Sequence, residues 1–244
     1  SECKEVCDPK FQYDSSNCTG NKVLTGNSCG GKYEKCIEPL QYLYSDRTLS
    51  AEIIPGKSVI GIAVDPENRL AVAIDYIMTT GWGGYGIDIP TLENTPSSGA
   101  GIYVRGERDS YLIRDGKANT AKILAYGRSN GISYPAAETA YNYQPGSCSS
   151  SSWCGRGNWY LPSNWQVFPY FDNRATIHLM LKAINKMPDD WWYTRNDFYT
   201  VTSNEINAKE SGFIYINTGG MAHGGKNLTE PDNLQTLVLP YITY

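Results

Sequence analysis

The sequence predicts an α+β fold, and three observations predict it. Ser58-Val-Ile-Gly-Ile-Ala-Val64 and Arg69-Leu-Ala-Val-Ala-Ile-Asp75 are apolar runs on either side of Asp65-Pro66-Glu67-Asn68, the pattern of a β-hairpin. Ile177, Met180, Leu181, Ile184 and Met187 recur at three- and four-residue steps and stop before Pro188, as the buried stripe of a helix does. Strand-like and helix-like segments show no regular alternation, so no wound parallel sheet is expected.

Each element has a local reason. Residues 1–40 crowd five cysteines into a segment of Asn, Ser, Gly and Lys that cannot build a core unaided. Residues 41–57 follow Pro39, contain Pro55 and read as a connector to a main domain at 58–244. Asp115-Gly-Lys-Ala-Asn-Thr-Ala-Lys-Ile-Leu-Ala125 opens on a capping carboxylate and puts Ala118, Ala121 and Leu124/Ala125 on one helical face, with Gly127 as its end. Pro135 to Tyr143 makes a second short helix with proline in its first turn. Ser163-Asn-Trp-Gln166 is a capping box, Pro169 interrupts the helix it opens, and Asp172 reopens a helix that carries the stripe. Tyr199–Ser203, Gly212–Asn217 and Leu237–Ile242 are strands between Gly- and Asn-containing loops.

Composition excludes several classes. Of 244 residues, 41% are hydrophobic and 19% charged, which is the balance of a collapsible globular chain. A net charge of −4, without any Lys/Arg cluster longer than two, gives no nucleic-acid footprint. The longest apolar run, Val59 to Val64, is strand-sized, so no membrane span is expected. Aromatic content is mostly amphipathic, with 19 Tyr and 6 Trp against 5 Phe, and suits a surface built for contact.

Cys3, Cys7, Cys18, Cys29 and Cys36 lack the two close pairs that a zinc site needs and read as a disulfide module, which implies export to an oxidising compartment. Cys148 and Cys154 flank a Ser-rich stretch short enough to close as a local bridge.

Four segments in this order carry a resemblance: the hairpin ending Leu70-Ala-Val-Ala-Ile74, Trp82-Gly-Gly-Tyr-Gly-Ile-Asp88, Asp115-Gly-Lys-Ala-Asn-Thr120 and Asn158-Trp-Tyr-Leu-Pro-Ser163. Together they resemble the bacterial surface domain at the C-terminal end of collagen-like adhesins. The resemblance covers roughly residues 58–244. It implies a C-type-lectin-like fold, related to that of the formylglycine-generating enzyme and found in exported proteins of gut and environmental bacteria. Two positions depart from the family: Thr200-Val-Thr-Ser-Asn-Glu205 has Val201 where a tryptophan is usual, and Leu239-Pro240 stands where Arg-Pro is common. The N-terminal cysteine module resembles repeats beside such domains, which implies neighbouring modules of a longer surface protein.

Catalytic readings find little support. Gly81-Trp-Gly-Gly-Tyr-Gly86 matches G-x-G-x-x-G, but Ile87-Asp88-Ile89-Pro90 cannot open the helix that would hold a pyrophosphate. Gly220 to Lys226 spells G-x4-G-K without the following hydroxyl and reads as a flexible glycine loop. His178 reads as a partly buried structural residue of the best helix, and His223 as a loop residue able to meet a ligand. No cofactor is expected. Calcium has one weak candidate, Glu230-Pro231-Asp232-Asn233, with no companion ligand strand, and Asp65, Glu67 and Asn68 make a turn more simply.

Flat rings stack on sugar faces and anchor protein interfaces. The binding candidates are therefore Trp82, Tyr85, Trp153, Trp191, Trp192 and Tyr193, with His223, whereas Trp159 and Trp165 are expected in the core. The expected function is non-catalytic recognition of a glycan or surface protein by an exported bacterial protein at the cell surface. The alternatives are a divergent formylglycine-generating-type modifying enzyme, which would need Cys148 and Cys154 as thiols, and a structural subunit of a surface fibre.

Overall fold

The computed structural model describes residues 23–24, 36–37, 39–95, 102–103, 115–186, 198–215, 221–227 and 235–244. Cys3, Cys7, Cys18, Cys29, the Trp191–Tyr193 run and the Glu230–Asn233 candidate lie outside the described residues. The chain divides into two compact units, Ser1–Gln41 and Tyr42–Tyr244. In the first, strand β1 (Val23–Leu24) pairs antiparallel with β2 (Cys36–Ile37), Leu24 opposite Cys36.

The second unit is α+β, and its described strands form two sheets. The hairpin forms as its turn residues predict: β5 (Val59–Asp65) and β6 (Leu70–Ala73) are joined where both Asp65 carboxylate oxygens accept from Asn68, its N–H at 3.1 Å and its amide at 2.7 Å. Gly61 is needed there, because a Cβ would lie 2.8 Å from the Val72 carbonyl oxygen. The hairpin sits inside a five-stranded sheet of order β13-β6-β5-β3-β4, completed by β3 (Gln41–Tyr44), β4 (Leu49–Ser50) and β13 (Tyr241–Thr243).

The expected connector at 41–57 is thereby corrected. Tyr42, Leu43 and Tyr44 are buried in β3, and the Tyr44 hydroxyl accepts from the Ile54 N–H at 2.8 Å, so the prolines punctuate a hairpin of the domain itself.

The six-stranded sheet has the order β7-β12-β9-β10-β11-β8. Its members are β7 (Ile77–Met78), β8 (Ile102–Tyr103), β9 (Phe198–Glu205), β10 (Glu210–Tyr215), β11 (Met221–Gly225) and β12 (Gln235–Val238). The expected strand Leu237–Ile242 breaks at Leu239-Pro240, where proline has no N–H for a ladder. Its halves, β12 and β13, join different sheets, and the Pro240 carbonyl accepts from Ala73.

Helix α1 (Gly116–Asn130) is capped by Asp115, whose side chain accepts from the Ala118 N–H at 2.8 Å. It ends at Gly131 in the left-handed region (φ 66°), not at Gly127. Gly127 lies inside, because the Tyr134 ring passes so close that a Cβ would sit 2.9 Å from it. Of the face expected, Leu124 is buried but the alanines are not. Asn119, Thr120, Ile123 and Leu124 face inward while Ala121 and Ala125 are exposed. The inward polar groups are satisfied: Asn119 donates to Ser203 Oγ at 3.2 Å and Thr120 Oγ1 to the Gly116 carbonyl at 2.8 Å.

Helix α2 (Pro135–Asn142) comes next. Helix α3 (Asn164–Asp172) opens on the Ser163/Gln166 capping box and continues through Pro169. Asn173 then breaks the chain before α4 (Arg174–Ala183), whose stripe buries Ile177, His178, Met180 and Leu181. Ile184 sits at its C-cap.

Among the described residues, two clusters fill the interior. Trp82, Ile89, Leu92, Ile123, Tyr134, Ala137, Leu161, Tyr199, Val201 and Val238 contribute to one beside the six-stranded sheet. The other joins Leu43, Ile60 and Ala71 to Tyr143, Trp159 and the Cys148–Cys154 disulfide. The Trp159 indole donates to the Cys154 carbonyl at 2.8 Å and meets Tyr143 edge-on at 4.8 Å. Replacing both cysteines by serine is expected to lower unfolding free energy by about 2 kcal/mol through restored loop entropy alone, read as a lower urea midpoint. An unchanged midpoint would show that the bridge holds nothing.

Candidate functional site

The local sequence Gly81-Trp-Gly-Gly-Tyr-Gly86 forces a tight path. Gly81, Gly83, Gly84 and Gly86 all have positive φ (132°, 98°, 62° and 85°), a conformation open to glycine at little cost. Gly84 is also pressed on Tyr134, where a Cβ would lie 2.4 Å from the ring. These turns send the two aromatic side chains in opposite directions, Trp82 to 2% exposure and Tyr85 to 51%.

Trp82 is therefore corrected from a ligand candidate to a core residue. Its indole donates to the Thr202 carbonyl at 2.8 Å, and its ring meets Tyr134 edge-on at 5.5 Å. The Lys226 ammonium lies 4.8 Å from the ring centroid. Burial, ahead of the Glu205 charge, pushes the Tyr134 phenol up to about 12.

Beneath the loop lies a buried ion pair. Lys226 Nζ contacts Glu205 Oε1, and both side chains are fully buried. Burial pushes the Glu205 carboxyl up and the Lys226 ammonium down, each against the pull of its partner. The expected flexible glycine loop is corrected by this arrangement: residues 221–225 are β11, and Lys226 closes the turn after it. β11 pairs with β10, and the turn is held by the Lys226 N–H donating to the Lys209 carbonyl at 2.8 Å.

His223 is likewise on a strand rather than a loop. Its Nδ1 lies 3.2 Å from Glu210 Oε1, and Glu210 Oε2 accepts from the Asn207 amide at 2.7 Å. The Asn207 side-chain oxygen in turn accepts from the Lys209 and Glu210 N–H groups, shaping the β9–β10 turn. That turn touches the glycine loop, because Gly86 N–H donates to the Ala208 carbonyl at 2.8 Å. The loop carrying Tyr85 thus meets the β9–β10 turn at one end of the six-stranded sheet, and His223, mid-strand and mostly buried, reaches that turn through Glu210. Further along the same loop, Asp88 and Asn94 are exposed and joined by 3.2 Å bonds from the Asn94 amide to both carboxylate oxygens, and Asn94 bridges to Glu205 at the end of β9.

Trp153 is elsewhere. Its indole donates to the Ser45 carbonyl at 2.8 Å, and the Arg47 guanidinium covers its face at 4.7 Å. It braces the β3–β4 turn against the disulfide loop, and an arginine occupies the face a ligand would stack on. Among the other sequence candidates, Trp159 is in the core and Trp165 is half-buried against Phe168.

The residues that sequence reasoning missed are Glu205 and Lys226, with the polar strand leading to them. Thr200, Thr202, Ser203, Asn204 and Glu205 are all buried, so β9 carries no alternation of apolar and polar positions to read. The Asn204 amide donates to Thr95 Oγ1 at 2.7 Å, its oxygen accepts from the Asn164 N–H at 2.7 Å, and Thr202 Oγ1 donates to the Gly212 carbonyl at 3.1 Å.

No family model matches the chain, and no curated protein sequence matches it. A fimbrial protein from Bacteroides ovatus ATCC 8483 superposes at a TM-score of 0.49 with 16% identity, over 84% of this chain and 48% of the other. This chain therefore spans about half the length of that protein. A likeness of that size carries no argument about function, which has to come from the residues. No described helix is long and apolar enough to cross a membrane.

Proposed function

We propose that this chain is a non-catalytic recognition module of an exported bacterial surface protein, C-type-lectin-like in build, and that its binding surface is the end of the six-stranded sheet bearing Tyr85. The observation that carries the reading is an exposed aromatic ring on a loop whose backbone is already fixed. Trp82 and Gly83 N–H groups donate to the Lys226 carbonyl, each at 3.1 Å, and Gly86 donates to Ala208. A ring carried on a backbone held this way costs little loop ordering on binding, which is how pre-organised aromatic anchors gain affinity. The carboxylates and amides of Asp88, Asn94, Glu210 and Asn207 offer the hydrogen-bonding partners that sugar hydroxyls or a polar protein face require, with His223 mostly buried behind Glu210. The Cys148–Cys154 bridge fits an oxidising, extracellular setting.

A glycan, mucin and surface-protein array with the native protein tests this. Saturable binding that falls by about tenfold or more in Tyr85→Ala, with an unchanged circular dichroism spectrum, is expected. Full binding by Tyr85→Ala would remove the proposed surface. The second reading, a structural subunit of a surface fibre, matches the description of the fimbrial neighbour at a likeness too slight to carry it. Head-to-tail multimers that grow with concentration, and no array binding, would favour that reading.

A further inference from the structure

Lys226 grips the Tyr85 turn from both sides. Its carbonyl oxygen accepts from Trp82 and Gly83, before the turn, and its ammonium donates to the Ile87 carbonyl at 2.6 Å, after it. Glu205 completes the hold: one carboxylate oxygen meets Lys226, and the other accepts the Ile89 N–H at 3.1 Å. The pair therefore satisfies a carbonyl at 87 and an amide at 89 with one donor and one acceptor. Trp82 lies over the ammonium on a further side.

We infer that Glu205 and Lys226 are a positioning pair for the recognition surface, fixing the presentation of Tyr85 by clamping residues 87–89 to the sheet. The role rests on the recognition reading above, but the clamp itself is testable without a ligand. An apolar pair of similar volume would fill the same space and still offer no donor to the Ile87 carbonyl and no acceptor to the Ile89 amide. Packing can be restored by such a pair; the tethers cannot.

Three further features agree. Thr95 N–H donates to the Glu205 carbonyl at 2.7 Å, so the same residue also pins the far end of the loop by its main chain. Asp88, between the two clamped positions, is exposed and carries the link to Asn94. Lys226 N–H holds the carbonyl of Lys209, one residue from the Ala208 carbonyl that receives Gly86. Loop, turn and strand end are thus organised around one residue pair.

The test is amide hydrogen exchange on the double variant Glu205→Leu/Lys226→Met beside the wild type. Peptides covering residues 84–90 are expected to exchange about tenfold faster or more, while peptides from β5 and the middle of β9 keep their wild-type protection. Unchanged exchange at 84–90, or an equal rise everywhere, would overturn the inference, the latter showing a merely structural pair. The wild type supplies an independent reading should the double variant not fold. The Ile89 amide is expected among the slow exchangers although its neighbours Asp88 and Pro90 are exposed. Exchange at the rate of an open loop overturns the clamp. The clamp and the recognition surface fail separately. Full binding by Tyr85→Ala with the expected exchange pattern leaves the clamp and removes the recognition surface; lost binding by Tyr85→Ala with unchanged loop exchange does the reverse.

Discussion

Lys226→Met alone is expected to lower unfolding free energy by about 3–5 kcal/mol at pH 7, and adding Glu205→Leu to return only part of that loss, because the Ile87 carbonyl and the buried Ile89 amide stay without partners. Both side chains are fully buried, so removing one partner leaves a carboxylate in the core with no counter-charge. Removing both leaves apolar groups of similar volume, and the desolvation already visible in the opposed shifts of the two groups disappears. The deficit of the single variant also depends on pH. Burial raises the folded-state pKa of Glu205 above its unfolded value, and removing the Lys226 ammonium removes the main opposition to that rise. The raised value contributes stability that is present below the unfolded pKa of about 4.3 and is lost as pH rises through the folded value. Lys226→Met is therefore expected to lie closer to wild type at pH 5 than at pH 7 in urea titrations. A deficit that widens on acidification contradicts a buried carboxylate at 205.

Trp82→Ala is expected to cost about 3–5 kcal/mol, in the range for large aromatic residues removed from cores. Three losses combine: the edge-on contact with Tyr134, the ring beside the Lys226 ammonium, and the indole bond to the Thr202 carbonyl. Trp82→Phe keeps most of the packing and gives up the bond, so its loss should be about 1–2 kcal/mol. Chemical denaturation of the two variants separates these contributions. A loss below about 1 kcal/mol for the alanine variant would put the ring back at the surface as a ligand contact.

The parts of the fold legible in the sequence are those decided by local chemistry. Asp65 and Asn68 make the hairpin turn, Asp115 caps α1, and Ser163 with Gln166 boxes α3, each through bonds spanning three residues. The Cys148–Cys154 bridge was legible for the same reason, its partners being six residues apart. The illegible parts were set by contacts across the chain. Gly127 looks like a helix end until the Tyr134 ring is placed against it. Leu237–Ile242 looks like one strand until its two halves find partners in different sheets.

At the candidate site, a glycine-framed pair of aromatics marked the loop but could not say which ring turned inward. That choice depends on Thr202, Tyr134 and Lys226, all distant from Trp82 in sequence. Lys226 closes a glycine-rich segment that suggests mobility, and its buried partner lies 21 residues earlier on a strand with no readable period. His223 was expected on a loop and is a mostly buried strand residue, for a reason absent from its own neighbourhood: Glu210 meets it across the paired strands β10 and β11.

The measurement that bears most directly on the recognition surface is array binding by wild type, Tyr85→Phe and Tyr85→Ala under one set of conditions. Wild type is expected to bind saturably, Tyr85→Phe to bind nearly as well because the ring and its fixed loop remain, and Tyr85→Ala to lose about tenfold or more. Equal binding by all three, with the fold intact, would contradict a recognition surface at Tyr85 and move the contact away from the glycine loop.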